Sequence, residues 1–484
     1  MNSLFRTKPI ERLQAEAGDD SHGLKRVLTR TSLISLGIGA VIGTGIFVLT
    51  GHAAADFAGP AVALSYVLSG IGCLFAGLCY AEYAASIPIA GSAYTYTYAT
   101  LGELMAWIIG WDLILEYLFA ASTVAVGWSK YFIYFMKDAF GIHLPEHLCR
   151  APLDYVDGHI VQTAHTMNIP AMLLVWVITV LLVIGIKESA RFNNIMVVIK
   201  VTIILMIIGI GWGYINWDNL TPFIPENTGE LGKYGWSGVG KGAAVIFFAY
   251  IGFDAVSTAA QETKNPQKDM FWGMIGSLAI CGVLFVGVSI VVCGMVSYKE
   301  LHVDAPVVYA FEKAAGDGLK WLRLAVELAV LAGLSSVILV LLMGQPRVFF
   351  SMAKDGLLPA FFAKVHPKFG TPHITTIITG ILCSLLAGFL PLNLLGELVS
   401  IGTLLAFAVV CVGIIVLRKT RPDMPRPYRT PWVPLVPVLG AGLCILQSVL
   451  LPADTWLRLI VWMGLGLVVY FLYGRHHSRL KQPS

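Results

Sequence analysis

Charge is scarce in this 484-residue chain, at 13% of residues, against about 25% in a soluble domain. The first 30 residues are polar and hold no short apolar core with a cleavage site, so no secretory signal is expected there. The eight cysteines follow no metal or redox spacing. Seven lie in or beside apolar runs and only Cys149 falls in a loop, so neither a structural disulfide nor a metal centre is expected. The sequence contains no phosphate-binding loop, zinc pattern or nucleophile elbow. No acid, base and nucleophile cluster together, which argues against an enzyme and against a bound cofactor. Basic residues sit in short stretches between apolar runs, which excludes a nucleic-acid surface.

What is present is apolar length. Hydrophobic residues make up 57% of the chain and mean hydropathy is +0.75. Crossing a bilayer as a helix takes roughly 20 apolar residues. Runs that long are expected at 31–56, 60–86, 101–136, 168–186, 193–214, 240–263, 270–296, 321–350, 372–390, 394–417, 432–450 and 456–474. They describe an all-α membrane protein with twelve transmembrane helices in contact with a lipid bilayer. The third run exceeds one perpendicular crossing and should tilt. Most of the 33 basic residues fall on one side, including Arg26, Arg30, Lys187, Lys264, Arg347, Lys354, Arg418 and Arg429. The positive-inside rule then places both termini in the cytoplasm of a multi-pass cell-membrane protein. Segment 1–30 is an N-terminal cytoplasmic stretch and 475–484 a cytoplasmic tail. The outer side carries two long loops near 137–167 and 215–239, a sequon at Asn219-Leu-Thr221, and a short amphipathic helix near 303–315.

Two of the expected spans contain breaks. The first has Gly43-Thr44-Gly45 at mid-depth, and the sixth has Gly252-Phe253-Asp254 at similar depth. A glycine costs about 1 kcal/mol in a helix, and unwound backbone at that depth is tolerated only where it is buried in protein or lines a cavity. Freed amides attract an anion and freed carbonyls a cation. A zwitterion offers one of each. Interrupted helices in matching places of two halves point to a transporter binding site. Gly39 and Gly43 also form a Gly-xxx-Gly pair, which close helix packing would explain equally well.

Six stretches carry a family resemblance: Gly39-Ala-Val-Ile-Gly-Thr-Gly-Ile-Phe47, Ile87-Pro-Ile-Ala-Gly-Ser-Ala-Tyr-Thr-Tyr96, Phe247-Phe-Ala-Tyr-Ile-Gly-Phe-Asp-Ala255, Glu262-Thr-Lys-Asn-Pro-Gln-Lys268, Arg347-Val-Phe-Phe-Ser-Met-Ala-Lys-Asp-Gly-Leu-Leu-Pro359 and Arg426-Pro-Tyr-Arg-Thr-Pro431. In this order they resemble the amino acid–polyamine–organocation superfamily, and within it the bacterial twelve-helix form of the cationic amino acid transporter family. The resemblance implies a LeuT-like 5+5 inverted repeat. The repeats would be 31–214 and 240–417, followed by accessory helices in 432–474. It implies alternating access around a central site at Val41, Ile42, Gly43, Thr44 and Gly45. The substrate carboxylate would meet amides at Thr44 and Gly45. The amine would meet carbonyls near Val41, Ile42, Phe248 and Ile251, with Phe248 as an aromatic gate.

Charges at mid-membrane cost at least ~2.5 kcal/mol and are functional candidates by default. Lys200 lies inside the fifth span. The resemblance places it where sodium-coupled relatives bind an ion, so it could carry a proton through the transport cycle. Snorkelling to the interface is the plainer alternative. Glu116, midway along the third span, is a candidate for the substrate amine and for proton coupling, or for a structural bond. Asp254 follows the second break and could hold it open or titrate. Glu82 and Glu327 fall near helix ends and are expected to be solvated or structural. His52 is expected to pack or line a pore.

The expectation is a secondary transporter of L-amino acids by proton symport. Near Leu334-Ser335-Ser336 no acceptor for a cationic side chain is found, which favours neutral substrates such as alanine. Transport of arginine or lysine, exchange, and a polyamine substrate remain alternatives, as does an amino acid sensor from a different class. A small membrane subunit or oligomer is left open.

Overall fold

The computed structural model describes residues 3–13, 26–43, 45–156, 159–303, 305–316, 320–449, 451 and 453–481. Thr44, expected in the substrate site, lies outside the described residues. The chain is a bundle of α-helices. In order these are α1 (Arg30–Val41), α2 (Val62–Ser86), α3 (Ser92–Thr100), α4 (Glu103–Ile114), α5 (Ala120–Phe140), α6 (Ile169–Ile184), α7 (Ile186–Trp212) and α8 (Gly235–Ile246). They continue as α9 (Ala255–Thr258), α10 (Pro266–Met295), α11 (Pro306–Ala315), α12 (Lys320–Lys354), α13 (His373–Phe389), α14 (Leu392–Thr420), α15 (Leu435–Val449) and α16 (Ala453–Val469). Helix α11 is the short amphipathic element expected near 303–315.

Among the described residues, eight segments are long and apolar enough to cross a membrane, and four apolar helices are shorter. The twelve expected runs therefore differ from the observed segments in their divisions. The Gly43 break cuts α1 short, while helical backbone of several pitches runs on from Gly45 to Ser86. The gap expected between 186 and 193 is itself helical, because α7 begins at Ile186. One described stretch forms strands. Strands β1 (Leu153–Val156) and β2 (His159–Gln162) form an antiparallel hairpin pairing Leu153 with Gln162, inside the region expected to be a plain loop.

Helix α12 is almost wholly buried, and α5, α7 and α1 pack around it. Helices α7 and α16 lie at the periphery. Exposed Val177, Val198, Leu205, Leu457 and Ile460 give the outside an apolar face. Such a surface is stable against lipid tails rather than water, and the chain is an integral membrane protein.

At the N-terminal face of the bundle, buried acids are neutralised by cations from distant sequence. Glu262 receives Arg347 Nε at 2.8 Å and Nη2 at 2.7 Å, a two-point pair. Glu82 is fully buried and receives Arg418 through two bonds of 2.8 Å, plus the Thr430 amide at 2.7 Å. It is structural, not solvated. Asp355 receives Lys8 Nζ at 2.6 Å and the Tyr94 hydroxyl at 2.8 Å. Amides of Val27 and Leu28 reach the Glu262 carbonyl, and the Lys264 amide reaches Leu28. Several basic residues expected merely to mark one side thus also pair with buried acids there.

Candidate functional site

Helix α1 ends at Val41, and Ile42 is extended at φ −78° and ψ 96°. Helical backbone resumes at Gly45 with a wider π-type turn through Leu49. Helix α8 tightens into a 3₁₀ turn at Phe247–Tyr250, then opens at Ile251 with φ −62° and ψ 139°. Gly252 follows at φ +110°, a conformation costly for any residue with a Cβ. The two breaks face each other. A Cβ on Gly252 would come within 2.9 Å of Ala40 Cβ, and one on Gly45 would overlap Ala249. Glycine is required here because two backbones touch.

Between the breaks lies a cavity of about 20 Å³, room for about one water. Val41, Gly43, Gly45, Phe248 and Ile251 line it, joined by Ala120, Val124, Val337 and Leu341. The second group was not picked out from sequence. Small and branched apolar residues in apolar helices carry no local signal of what they face. Among the described residues, no ionisable side chain lines this cavity.

Lys200, on α7, is fully buried behind the first break. Its Nζ donates to the carbonyls of Gly39 at 2.9 Å and Ile42 at 3.0 Å, and lies 2.7 Å from Ser336 Oγ on α12. Ser336 Oγ also donates to the Gly39 carbonyl at 3.0 Å. The lysine does not snorkel to an interface. It also engages the Ile42 carbonyl, which the family resemblance implied for the substrate amine.

Glu116 and Asp254 are not in the cavity wall. Glu116 sits on a π-type turn, Leu115–Phe119, joining α4 to α5. Ala120 and Val124 line the cavity one and two turns further along, so Glu116 stands about 6 Å from it along the axis. It faces Asp254 and Thr403, and neither of its oxygens has a hydrogen-bond partner among the described residues. Asp254 accepts the Tyr117 hydroxyl at 2.6 Å through Oδ2, while Oδ1 has no partner among the described residues. Asp112, one turn before Glu116, is likewise buried with both oxygens unpartnered there. It was missed, although its spacing of four from Glu116 within an apolar helix was a usable signal. Together the three acids form a buried polar column beside the cavity.

Two opened helices thus face each other across a small cavity, and a buried lysine holds carbonyls of one break. A family model described as amino acid permease matches residues 28–471. The chain belongs to the amino acid permease family. Among its relatives, a branched-chain amino acid permease of Bacillus subtilis is 47% identical over 99% of both chains. A methylthioribose transporter of the same organism is 46% identical over the whole of both chains. A vacuolar cationic amino acid transporter of Arabidopsis thaliana is 37% identical over 87% of this chain and 68% of the plant protein. Membership makes this permease a membrane transporter and not an enzyme, and it agrees with the resemblance drawn from the six motifs.

Proposed function

We propose that this permease is a secondary active transporter of neutral L-amino acids, driven by proton symport and working by alternating access. The observation that carries this reading is the apolar cavity between two facing helix breaks, with a lysine fastened to one of them. Open backbone offers amides for a carboxylate and carbonyls for an ammonium. The wall of Ala120, Val124, Val337 and Leu341 suits an aliphatic side chain. It holds no carboxylate for a guanidinium or a second ammonium, so arginine and lysine are disfavoured.

In this reading residues 31–214 and 240–417 are the two halves of a 5+5 inverted repeat, and 432–474 supplies two further crossings. The N-terminal face is cytoplasmic, and its ion pairs at Asp355 and Glu262 form the closed inner gate. Lys200 is the coupling group. Glu116, Asp112 and Asp254 give a second buried route for a proton.

The relatives' names leave a competing substrate, methylthioribose, whose methylthio group an apolar wall would also accept. Uptake into proteoliposomes separates the two. With an inward proton gradient, labelled alanine, valine and leucine accumulate, and each competes with the others. Unlabelled arginine and methylthioribose at the same concentration leave that uptake within about twofold. Accumulation of methylthioribose alone would replace this reading.

A further inference from the structure

On the face opposite the N-terminal segment lies a second chamber, of about 580 Å³, within the usual range of small-molecule sites. His52, Tyr131, Asp138, His302, Arg323 and Glu327 are among its walls. The histidines are already committed. Their rings stack with centroids 4.7 Å apart. His302 is held by Asp56 at 2.9 Å, and His52 by the Val303 carbonyl at 3.2 Å. Glu327 and Arg323 differ from them. Glu327 is only 3% exposed, yet its Oε2 has no hydrogen-bond partner among the described residues. Arg323 uses Nη2 on Asp138 at 2.9 Å, but its Nε has no partner among the described residues.

An orphan acceptor and an orphan donor in one chamber are costly unless something fills them. They stand one turn apart on α12, about 6 Å along its axis, and are charged in opposite senses. A zwitterion supplies both missing partners. The chamber also lies in line with the central cavity. His52 is seven residues beyond Gly45 on one wall, and Glu327 ten residues before Val337 on another, or about 10 and 15 Å of helix.

We propose that this chamber is an outer binding site for the same zwitterionic amino acids. Glu327 Oε2 takes the ammonium group and Arg323 Nε the carboxylate, and the ligand passes from there to the central cavity. This rests on the reading that the permease carries amino acids.

The test is a binding titration of the purified full chain with labelled L-leucine, alongside uptake in proteoliposomes. The wild type shows two binding events. Glu327→Gln removes the weaker one and raises the KM of uptake about tenfold, the worth of one hydrogen bond to a charged group. Arg323→Lys keeps a cation for Asp138 but withdraws Nε, and it gives the same loss. Leucinamide, which lacks the carboxylate, fails to compete for the weaker event in the wild type, a result that needs no variant to fold. A single binding event in the wild type, or unaltered KM in both folded variants, overturns the outer site and leaves the transport reading standing. Absence of any leucine binding or uptake in the wild type overturns that reading, and the outer site with it.

Discussion

Replacing Lys200 with alanine abolishes gradient-driven uptake and leaves substrate binding measurable. The ammonium group is anchored by the Gly39 and Ile42 carbonyls and by Ser336 Oγ, at 2.7 to 3.0 Å. A protonated lysine offers three donors, and a neutral one offers two donors and one acceptor. The Ser336 hydroxyl can serve either state by turning its hydrogen, from the Gly39 carbonyl toward Nζ. Heavy atoms need not move for the proton to leave, yet the link between α1, α7 and α12 weakens when it does. Alanine removes that link and the carrier together. The Gly39 carbonyl keeps the Ser336 hydroxyl, while the Ile42 carbonyl is left dry at a cost of about 1–3 kcal/mol, so the break at Ile42 becomes looser but stays open. Counterflow in proteoliposomes therefore persists in Lys200→Ala, while accumulation against a gradient falls at least tenfold. Lys200→Arg keeps the charge but cannot release a proton, and it does not restore accumulation. Full concentrative uptake in either variant would remove the lysine from coupling.

Gly45→Leu weakens substrate binding about 100-fold. The sequence suggests that the new side chain simply fills the carboxylate site. The structure adds a second cause. A Cβ at this position overlaps the Cα and Cβ of Ala249, so the two broken helices must separate before leucine fits. Separation also strains the bonds that set the break, from Tyr66 to the Gly45 carbonyl at 3.1 Å and between Tyr66 and Thr50 at 2.7 Å. Overpacking of this kind costs about 1–3 kcal/mol, and it falls on the backbone groups assigned to the substrate. Affinity measured by thermal shift should drop about 100-fold, equivalent to ~2.7 kcal/mol, in protein that still elutes as the wild type. Gly43→Ala is milder, because the nearest atom its Cβ would meet is a Val337 methyl, at 3.0 Å, and not backbone. Normal affinity in Gly45→Leu would contradict the placement.

The parts of the fold that were legible in sequence are those set by local chemistry. Gly43 and Gly45, and Gly252 beside Asp254, announce backbone that will not stay helical, and both breaks are present. A lone lysine in an apolar run announces burial, and Lys200 is buried. What was not legible depends on partners far apart in sequence. Nothing near Ile42 shows that its carbonyl will meet a lysine 158 residues away. The π-type turn at Leu115–Phe119 shifts the face of its helix, so Glu116 lies beside the cavity and not in it. Glu82 reads as a helix-end acid until the fold brings Arg418 and Thr430 to it. Glu327 reads the same way, and only the fold shows it at a chamber wall with one oxygen lacking a hydrogen-bond partner among the described residues.

A central clasp that grips both ends of a zwitterion is tested most directly by capping each end in turn. Binding of L-leucine to the purified permease is to be compared with leucine methyl ester, which has no carboxylate, and with N-acetyl-leucine, which has no ammonium. Each cap removes charge-assisted hydrogen bonds worth about 1.5–3 kcal/mol apiece, so each analogue should bind at least tenfold more weakly, and the doubly capped N-acetyl methyl ester not at all. Either singly capped compound binding as tightly as leucine itself would show that the two opened helices do not hold that end of the molecule.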